Sequence, residues 1–340
     1  MRPDILIVGQ GLAGTWLAWE CERAGLAFAI ADRGHATATT RAGAGIINPI
    51  TGRRLVKSWR IDEWRPLARE AYRELEAVLG RRLWHDMRVR RLFADERERE
   101  VAKAKLARGD LAPYVTAVPS AARAEDDEEG VWIEQAARVD FDGLLGAARA
   151  RWHAQGRLRE APVEVAREME RHALVIDCSG LAGARDARWS FVPWAFSKGE
   201  MLEVAVEGLA PEVIVNRRHW VVPTSAGRAW VGATHEPGSV DSAPTAAGRA
   251  ALERSARELL ARPFAVLGVR AGVRVTLPDK HPLAGRHPRE PRLGVLNALG
   301  AKGALWAPVL ARQWVAHLVR AEIFDPEIDA GRYAGQLAGG

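Results

Sequence analysis

Three glycines near the start of the chain have the spacing of a nucleotide-binding turn. Gly9, Gly11 and Gly14 follow the pattern G-x-G-x-x-G, and an acid, Asp32, comes 18 residues after the last of them. The first glycine permits a tight turn, the second lets a pyrophosphate approach the backbone, and the third allows a helix to pack closely on a strand. A carboxylate at position 32 accepts hydrogen bonds from a ribose diol. The spacing predicts a dinucleotide site, but the turn alone does not distinguish NAD from FAD.

The segments around this turn have the order strand, helix, strand. Residues 4–8 are a short apolar run, typical of a parallel strand buried on both faces. Residues 15–24 have helical periodicity, and residues 27–31 form a second apolar run. The N-terminus of the helix presents free N–H groups to phosphate. From this unit we predict the cofactor-binding residues Gly9, Gly11, Leu12, Ala13, Gly14, Asp32 and Arg33.

Small residues recur in three later segments. Residues 40–45 suit a backbone that lies against a flat ring or a pyrophosphate, and residues 173–178 form an apolar strand that ends in a glycine turn. A third glycine turn precedes a helix predicted from about Pro308 to Val319, and it can present N–H groups to an electron-rich ring edge. These segments favour FAD. They add the predicted cofactor-binding residues Arg41, Ala42, Gly43, Ala44, Gly45, Ser179, Gly180, Gly300, Ala301, Lys302, Gly303 and Ala304.

The composition of the 340 residues, 48% hydrophobic and 27% charged, excludes disordered and fibrous classes and allows two domains. Segments typical of a nucleotide-binding domain occur at the start of the chain, near Val175 and at the end of the chain. Strand-rich segments lie between them. We therefore predict an α/β fold in which a discontinuous Rossmann-type domain carries an inserted antiparallel-sheet α+β domain. The predicted ranges are 1–80, 137–196 and 268–335 for the FAD-binding domain, and 81–136 and 197–267 for the substrate domain. A helix is predicted from Asp62 to Gly80, with Asp62 as its N-cap.

The net charge of +6 does not indicate a nucleic-acid partner. Arginine supplies 43 of the 49 basic residues, a bias that a GC-rich coding sequence produces, and acids interleave with it, as in residues 96–100. No apolar run approaches the ~18 residues that span a bilayer, and a signal-peptide pattern is lacking, so we expect a cytoplasmic protein without a membrane span. Cys21 and Cys178 are the only cysteines, so we predict no disulfide framework and no metal site.

Taken together, the blocks resemble the FAD-dependent D-amino acid oxidase superfamily, and locally its glycine oxidase/sarcosine oxidase branch. They occur in family order over nearly the whole chain: residues 8–14, 42–45, 198–202, 222–223, 231–234, 272–285 and 300–308. The resemblance implies an FAD-dependent oxidoreductase that oxidises the C–N bond of a small amine or amino acid by hydride transfer to flavin. The product is then an imine, and molecular oxygen or another electron acceptor reoxidises the flavin, with hydrogen peroxide formed from oxygen.

The resemblance also implies residues of the substrate pocket. Arg274 stands where the family places the arginine that binds the substrate carboxylate, which a planar guanidinium can grip with two hydrogen bonds. Trp220 replaces a tyrosine common in D-amino acid oxidases and has only an indole N–H to offer. The pocket should therefore differ in size or in how it holds a carboxylate. His219 either supplies the missing polar contact or is a structural histidine.

Two further positions depart from the family pattern. Asn48 and Arg53 either reach the flavin edge or an anionic substrate group, or they belong to a polar turn with solvated arginines. Lys302 lies where a positive charge could stabilise reduced flavin or incipient superoxide. We predict catalytic roles for Arg274, Trp220 and Lys302, and substrate binding by Asn48, Trp220 and Arg274.

Two alternatives to a small-amine oxidase remain at this point. Residues 41–44 resemble a block in the oxidase module of the bifunctional tRNA wobble-uridine modifying enzyme, which implies a glycine-like group on a modified tRNA nucleotide as substrate. In an electron-transfer flavoprotein, Arg274 would instead be buried against protein carboxylates. Some sarcosine oxidases attach FAD through a cysteine in the C-terminal half, where this chain has none, so we expect non-covalent FAD.

Overall fold

The computed structural model describes residues 4–34, 38–117, 130–225 and 227–338. The strands are β1 (Ile5–Val8), β2 (Phe28–Asp32), β3 (Ile46–Ile47), β4 (Ile50–Thr51), β5 (Val56–Lys57), β6 (Trp84–Leu92), β7 (Val115–Ala117), β8 (Gly130–Val139), β9 (Leu158–Glu160), β10 (Leu174–Asp177), β11 (Ala195–Ala205), β12 (Val213–Asn216), β13 (Trp220–Ser225), β14 (Arg228–Gly232), β15 (Glu236–Pro237), β16 (Ala265–Thr276), β17 (Leu283–Arg286) and β18 (Leu293–Asn297). The α-helices are α1 (Leu12–Arg23), α2 (Ile61–Leu79), α3 (Glu96–Arg108), α4 (Phe141–Ala154), α5 (Val165–Arg171), α6 (Leu181–Ala184), α7 (Ala246–Leu260) and α8 (Gly303–Arg320).

The first sheet is the Rossmann-type sheet. Within the described residues its strand order is β17-β18-β10-β1-β2-β9, parallel except for β17 at the edge. Every residue of β1 and β10 is buried, as the continuous apolar runs predict. Helices α1 and α8 pack together beside the sheet, and α2 packs on α8. The carboxyl ends of β1, β2 and β10 therefore open on one edge, where such folds bind ligands.

The second sheet is mainly antiparallel. Its order over the same part of the chain is β15-β11-β14-β13-β12-β6-β8-β3, with β16 paired to β11 and β7 paired to β8. The two long strands β11 and β16 run antiparallel from the pair Ala195–Thr276 to the pair Ala205–Ala265. The predicted α/β class, with its parallel and antiparallel parts, is confirmed.

The predicted domain limits fall inside strands of this second sheet. The limit at residue 137 lies within β8, the limit at 197 within β11, and the limit at 268 within β16. Periodicity locates strands but does not say which sheet they join, so the exact division into domains stays a prediction.

Three helices begin at other residues than predicted. Helix α1 begins at Leu12 instead of Thr15, α2 has Arg60 as N-cap instead of Asp62, and α8 begins at Gly303 instead of Pro308. A proline inside a helix frees the carbonyl four residues earlier. Here the hydroxyl of Tyr72 donates a hydrogen bond to that carbonyl, Ala304 O, at 3.1 Å. A contact from α2 therefore satisfies the group that Pro308 leaves unpaired.

Across the helices of the described ranges, none combines the length and apolar character required to cross a bilayer.

Candidate active site

A cavity of about 730 Å³ lies at the carboxyl ends of the parallel strands and extends to β13 and β16 of the second sheet. It brings together residues that are up to 296 positions apart. The predicted site residues that line it are Gly9, Gly11, Leu12, Ala13, Asp32, Arg33, Ala42, Gly43, Ala44, Gly45, Asn48, Ser179, Gly180, Trp220, Arg274, Gly300, Ala301, Lys302, Gly303 and Ala304. Of the predicted set, Gly14 and Arg41 lie outside its lining.

The glycine turn leaves room for a ligand on one side and is packed tightly on the other. Gly9 has a positive φ of 93°, and a Cβ there would come within 2.9 Å of Cys178 O. A Cβ on Gly14 would lie 1.8 Å from the carbonyl oxygen of Gly9, so α1 packs directly on the turn. At Gly11 the nearest atom to such a Cβ is Thr40 Oγ1 at 3.5 Å. The turn is therefore open at the position that a pyrophosphate approaches.

The carboxylate of Asp32 is held in place at the end of β2. It accepts hydrogen bonds of 2.8 Å from the backbone N–H groups of Gln10 and Gly34. Arg149 Nη1 lies 3.1 Å from Asp32 Oδ1 and also donates to Gln10 Oε1 at 2.8 Å. Arg149 belongs to α4, 117 positions from Asp32, and no local pattern in the sequence indicated it. The carboxylate that we predict to bind ribose is thus oriented by contacts within the protein.

The small-residue segment is a 3-10 helix, Thr39–Ala42, that lies against β16. A Cβ on Gly272 would come within 2.9 Å of Ala42 Cβ, so this glycine lets the segment approach the strand. Gly45 has a φ of 69°, and its Cβ would overlap Val139 O at 2.1 Å. Arg41 points away from the cavity, and its Nε lies 3.1 Å from Asp142 Oδ1. The backbone of this segment faces the cavity, whereas the predicted Arg41 side chain faces the other side.

The guanidinium of Arg274 has no hydrogen-bond or ion-pair partner within the described ranges, and the residue is partly buried at the wall of the cavity. Burial lowers the pKa of Arg274. In the pairing of β11 with β16, Ser197 lies opposite Arg274, so Gly199 is the diagonal neighbour of Arg274 on the same face. A Cβ on Gly199 would lie 2.2 Å from Arg274 Nη2. The glycine leaves the space that the guanidinium occupies beside the cavity.

Trp220 forms another wall of the cavity. It pairs with Gly232 on β14, and a Cβ on Gly232 would lie 2.9 Å from Trp220 Cη2, so the indole ring lies over the glycine. The neighbouring His219 is not part of the lining. Its Nδ1 lies 2.6 Å from Ser255 Oγ, which supports the structural interpretation of this histidine.

Lys302 and Asn48 are joined through a serine that sequence reasoning missed. Lys302 Nζ donates to Ser58 Oγ at 3.0 Å, and Ser58 Oγ donates to Asn48 O at 2.8 Å. Burial lowers the pKa of Lys302. The side chain of Asn48 closes a turn by accepting a hydrogen bond from Ile50 N–H at 3.1 Å. Arg53 forms a surface ion pair with Asp95, as the polar-turn interpretation predicts.

Both cysteines are buried. Cys178 lines the cavity, whereas Cys21 lies within α1. Burial raises the pKa of the Cys21 thiol to about 12 and that of Cys178 well above its ordinary value. Both thiols are therefore protonated and weakly nucleophilic near neutral pH.

A parallel sheet with a glycine turn, an oriented acid at the second strand and a cavity shared with an antiparallel sheet define a dinucleotide-dependent oxidoreductase. Residues 4–318 match the family of FAD-dependent oxidoreductases, and the chain belongs to this family. Glycine oxidase of Bacillus licheniformis is 26% identical over 339 residues, covering 90% of each chain.

Solved structures show the same fold. Glycine oxidase from Geobacillus kaustophilus superposes with a TM-score of 0.77 at 22% identity, covering 96% of this chain and 97% of its own. Iminodiacetate oxidase from Chelativorans sp. BNC1 superposes with a TM-score of 0.74 at 22% identity, covering 97% of this chain and 98% of its own. The predicted resemblance to the glycine oxidase-like branch is confirmed, and so are the enzyme class and the cofactor, FAD.

Proposed function

We propose that this enzyme oxidises the C–N bond of a small amine that carries a carboxylate, of the glycine, sarcosine or D-amino acid type. The observation that carries the proposal is the unpartnered guanidinium of Arg274 in the cavity. A partly buried guanidinium without a carboxylate partner is incompletely solvated, and a substrate carboxylate would neutralise it. The electron-transfer alternative called for Arg274 to lie against protein carboxylates, and within the described ranges it does not.

The residues of the cavity fit FAD. The open side of the glycine turn and the N-terminus of α1 suit its pyrophosphate, and the oriented carboxylate of Asp32 suits its ribose. The N-terminus of α8, at Gly303, is placed to meet a polar ring edge. Because both thiols are buried and protonated, we propose that FAD is held without a covalent bond.

When bound, FAD would supply the redox chemistry, as the acceptor of a hydride from the α-carbon and the donor of two electrons to oxygen, with hydrogen peroxide as the product. The substrate C–N bond becomes a C=N bond, the amine proton passes to solvent, and water then hydrolyses the imine. In this proposal Arg274 grips the carboxylate with two parallel hydrogen bonds and so fixes which C–H bond faces the cofactor. Trp220 limits the size of the substrate side chain, and Lys302 contributes a positive charge.

The experiment is anaerobic bleaching of the holoenzyme by glycine, sarcosine, N-methyl amino acids, D-amino acids and simple 2-hydroxy acids, followed by air. We expect one amine class to bleach the flavin absorbance, and air to restore it with release of peroxide. Bleaching by hydroxy acids alone would contradict the proposal. If dithionite reduces the flavin but no member of the panel does, the tRNA-borne glycine-like group becomes the substrate to test.

The role of Arg274 is tested separately with Arg274→Ala. We expect a loss of at least about 100-fold in kcat/KM for the carboxylate substrate, with FAD content retained. Arg167→Ala, which removes an exposed arginine of α5, is the control and should behave like the wild type. A value for Arg274→Ala within about threefold of the wild type would show that this arginine does not bind the carboxylate.

A further inference from the structure

A second cavity, of about 500 Å³, adjoins the first, and Gly43, Ala44 and Phe141 line both. Its lining is strongly basic. Six arginines face three carboxylates, which leaves an excess of three formal positive charges with the histidine neutral. The charged and titratable residues of the lining are Arg41, Arg81, Arg82, His85, Arg138, Asp140, Asp142, Glu203, Arg228 and Arg270.

Each of the three carboxylates forms an ion pair with an arginine of the same lining. The ion pairs are Arg41–Asp142 at 3.1 Å, Arg270–Asp142 at 2.8 Å, Arg81–Asp140 at 2.9 Å and Arg228–Glu203 at 2.8 Å. Arg82 and Arg138 have no carboxylate partner in the described part of the chain. Arg82 Nε donates only to Trp84 O, at 3.3 Å. Two of the three excess charges therefore reside on these guanidinium groups, and the third is carried by Arg41 and Arg270, which share the carboxylate of Asp142.

Arg138 is buried, with 7% of its surface exposed. Its Nη2 donates to Thr224 O at 3.2 Å, and its Nε has no hydrogen-bond partner among the residues described. Burial lowers the pKa of Arg138. A buried cation in this state is destabilising unless an anion neutralises it. Among the described residues Asp140 attracts this cation, but no carboxylate forms an ion pair with it.

His85 lies directly opposite Arg138 in the pairing of β6 with β8, so both side chains lie on one face of the sheet. Burial and the nearby cations Arg138 and Arg82 lower the pKa of His85 to about 4, while Asp140 and Glu76 act in the opposite direction. At neutral pH this imidazole is therefore uncharged and can donate one ring N–H to a ligand.

We propose that this second cavity binds a phosphate-type anion, held by Arg82, Arg138 and His85. Two guanidinium groups without carboxylate partners among the described residues, the buried Arg138 and the exposed Arg82, match the oxygens of a phosphoryl group and favour a ligand with more than one negative charge. The cavity volume exceeds that of a single phosphate, so a pyrophosphate or a phosphomonoester also fits.

The site is linked to the backbone that faces the first cavity. Arg270 Nη1 donates to the carbonyl oxygen of Arg41 at 2.9 Å and also pairs with Asp142. Arg41 in turn belongs to the 3-10 helix whose backbone faces the FAD cavity. An anion bound here thus lies one residue layer from the cofactor, in a site that the proposed amine oxidation does not use.

The test uses FAD-saturated holoenzyme, so that the cofactor site is filled, and inorganic phosphate and pyrophosphate as probes. Ionic strength is held constant with chloride. We expect both anions to raise Tm with a saturable concentration dependence, and Arg82→Gln and Arg138→Gln to weaken binding by about tenfold or more. Arg167→Gln, at an exposed arginine elsewhere, should bind as the wild type does. Shifts no larger than those with chloride, or shifts that both variants retain, would overturn the proposal.

A second measurement does not depend on the Arg138 variant remaining folded. The pKa of His85 is followed by NMR in the wild-type holoenzyme with and without pyrophosphate, and His85→Gln assigns the resonance. A bound anion offsets the repulsion from Arg82 and Arg138, so we expect the pKa of His85 to rise. An unchanged His85 pKa at saturating pyrophosphate would show that any anion binds elsewhere.

Discussion

Gly199 lies directly against the guanidinium of Arg274. A Cβ on this glycine would be 2.2 Å from Arg274 Nη2 and 2.5 Å from Arg274 Cζ. The two residues are diagonal neighbours on the antiparallel strands β11 and β16, 75 positions apart in sequence. The position of the proposed carboxylate-binding group is therefore set by a residue that lacks a side chain.

Gly199→Ala should displace this guanidinium while leaving the fold intact, because the atoms that it meets are the far end of a flexible side chain. Losing one charge-assisted hydrogen bond of about 1.5–3 kcal/mol should raise KM for the carboxylate substrate by about 10–100-fold. FAD content should stay the same. Gly268→Ala is the matched control on β16, since a Cβ there has no atom within 4 Å. Equal KM values for Gly199→Ala and Gly268→Ala would show that substrate binding does not depend on the position of the Arg274 guanidinium.

Lys302→Met should slow the reoxidation of the flavin by oxygen. Its ammonium group, bonded to Ser58 Oγ at 3.0 Å, is the charge proposed to favour incipient superoxide. We expect reoxidation by air to slow by about tenfold or more, while anaerobic reduction by substrate changes little. Stopped-flow measurement of both half-reactions separates the two effects. Lys57→Met, which removes a lysine paired with Asp62, is the control and should leave both half-reactions unchanged.

The same lysine predicts the pH dependence of reoxidation. A lysine is cationic below its pKa, and burial lowers the pKa of Lys302 from 10.5. The rate of reoxidation in the wild type should therefore decrease as the pH rises. The decrease should begin at a lower pH than the titration of an exposed lysine would give. The Lys302→Met variant should show no such fall, and a fall of equal size in both proteins would exclude Lys302 as its origin.

Gly14→Ala should impair both folding and FAD binding. The added Cβ would lie 1.8 Å from the backbone oxygen of Gly9, which no side-chain rotation relieves. We expect little co-purified flavin and a Tm lowered by several degrees. Gly146→Ala is the matched change within α4, where a Cβ has no atom within 4 Å. It should raise stability by roughly 0.5–1 kcal/mol, a Tm increase of roughly 1–3 °C.

Glu22→Gln should lower stability at neutral pH and lose its effect in acid. Burial alone would raise the pKa of Glu22, but hydrogen bonds from Arg151, Gln155 and Trp152 lower it to about 2, below the ordinary 4.5. The stabilisation by the ionised carboxylate is therefore complete above about pH 4.5 and disappears as the pH falls through about 2. Removing the charge should cost about 1–3 kcal/mol at pH 7.

Thermal unfolding of wild type and Glu22→Gln between pH 3 and pH 7 measures this difference, and Glu70→Gln, at an exposed position of α2, is the control. The gap in Tm between wild type and Glu22→Gln should narrow as the pH falls. A gap that stays constant with pH would show that the ionised form of Glu22 is not the stabilising species.

Local pattern was enough to predict the strand-helix-strand unit at the start of the chain, which contributes to the cavity. The apolar runs at residues 4–8 and 27–31, the three glycines and Asp32 all lie within one strand-helix-strand unit. In such a unit the chain has little freedom, because the residue spacing itself sets which groups meet. Gly45 also lies in a local block of small residues, but the contact with Val139 O that requires a glycine there is tertiary, since the two residues are 94 positions apart.

The sequence by itself thus determined the glycine turn, the acid that follows it, and a mixed parallel and antiparallel α/β fold. Only the tertiary structure decided that Arg149 holds Asp32, that Ser58 joins Lys302 to Asn48, and that Arg41 faces a second cavity. The physical reason is that these contacts depend on strand register and on the order of strands in each sheet. Neighbours along the chain do not encode either, because each contact closes a loop of many residues whose ends meet only when the core has packed.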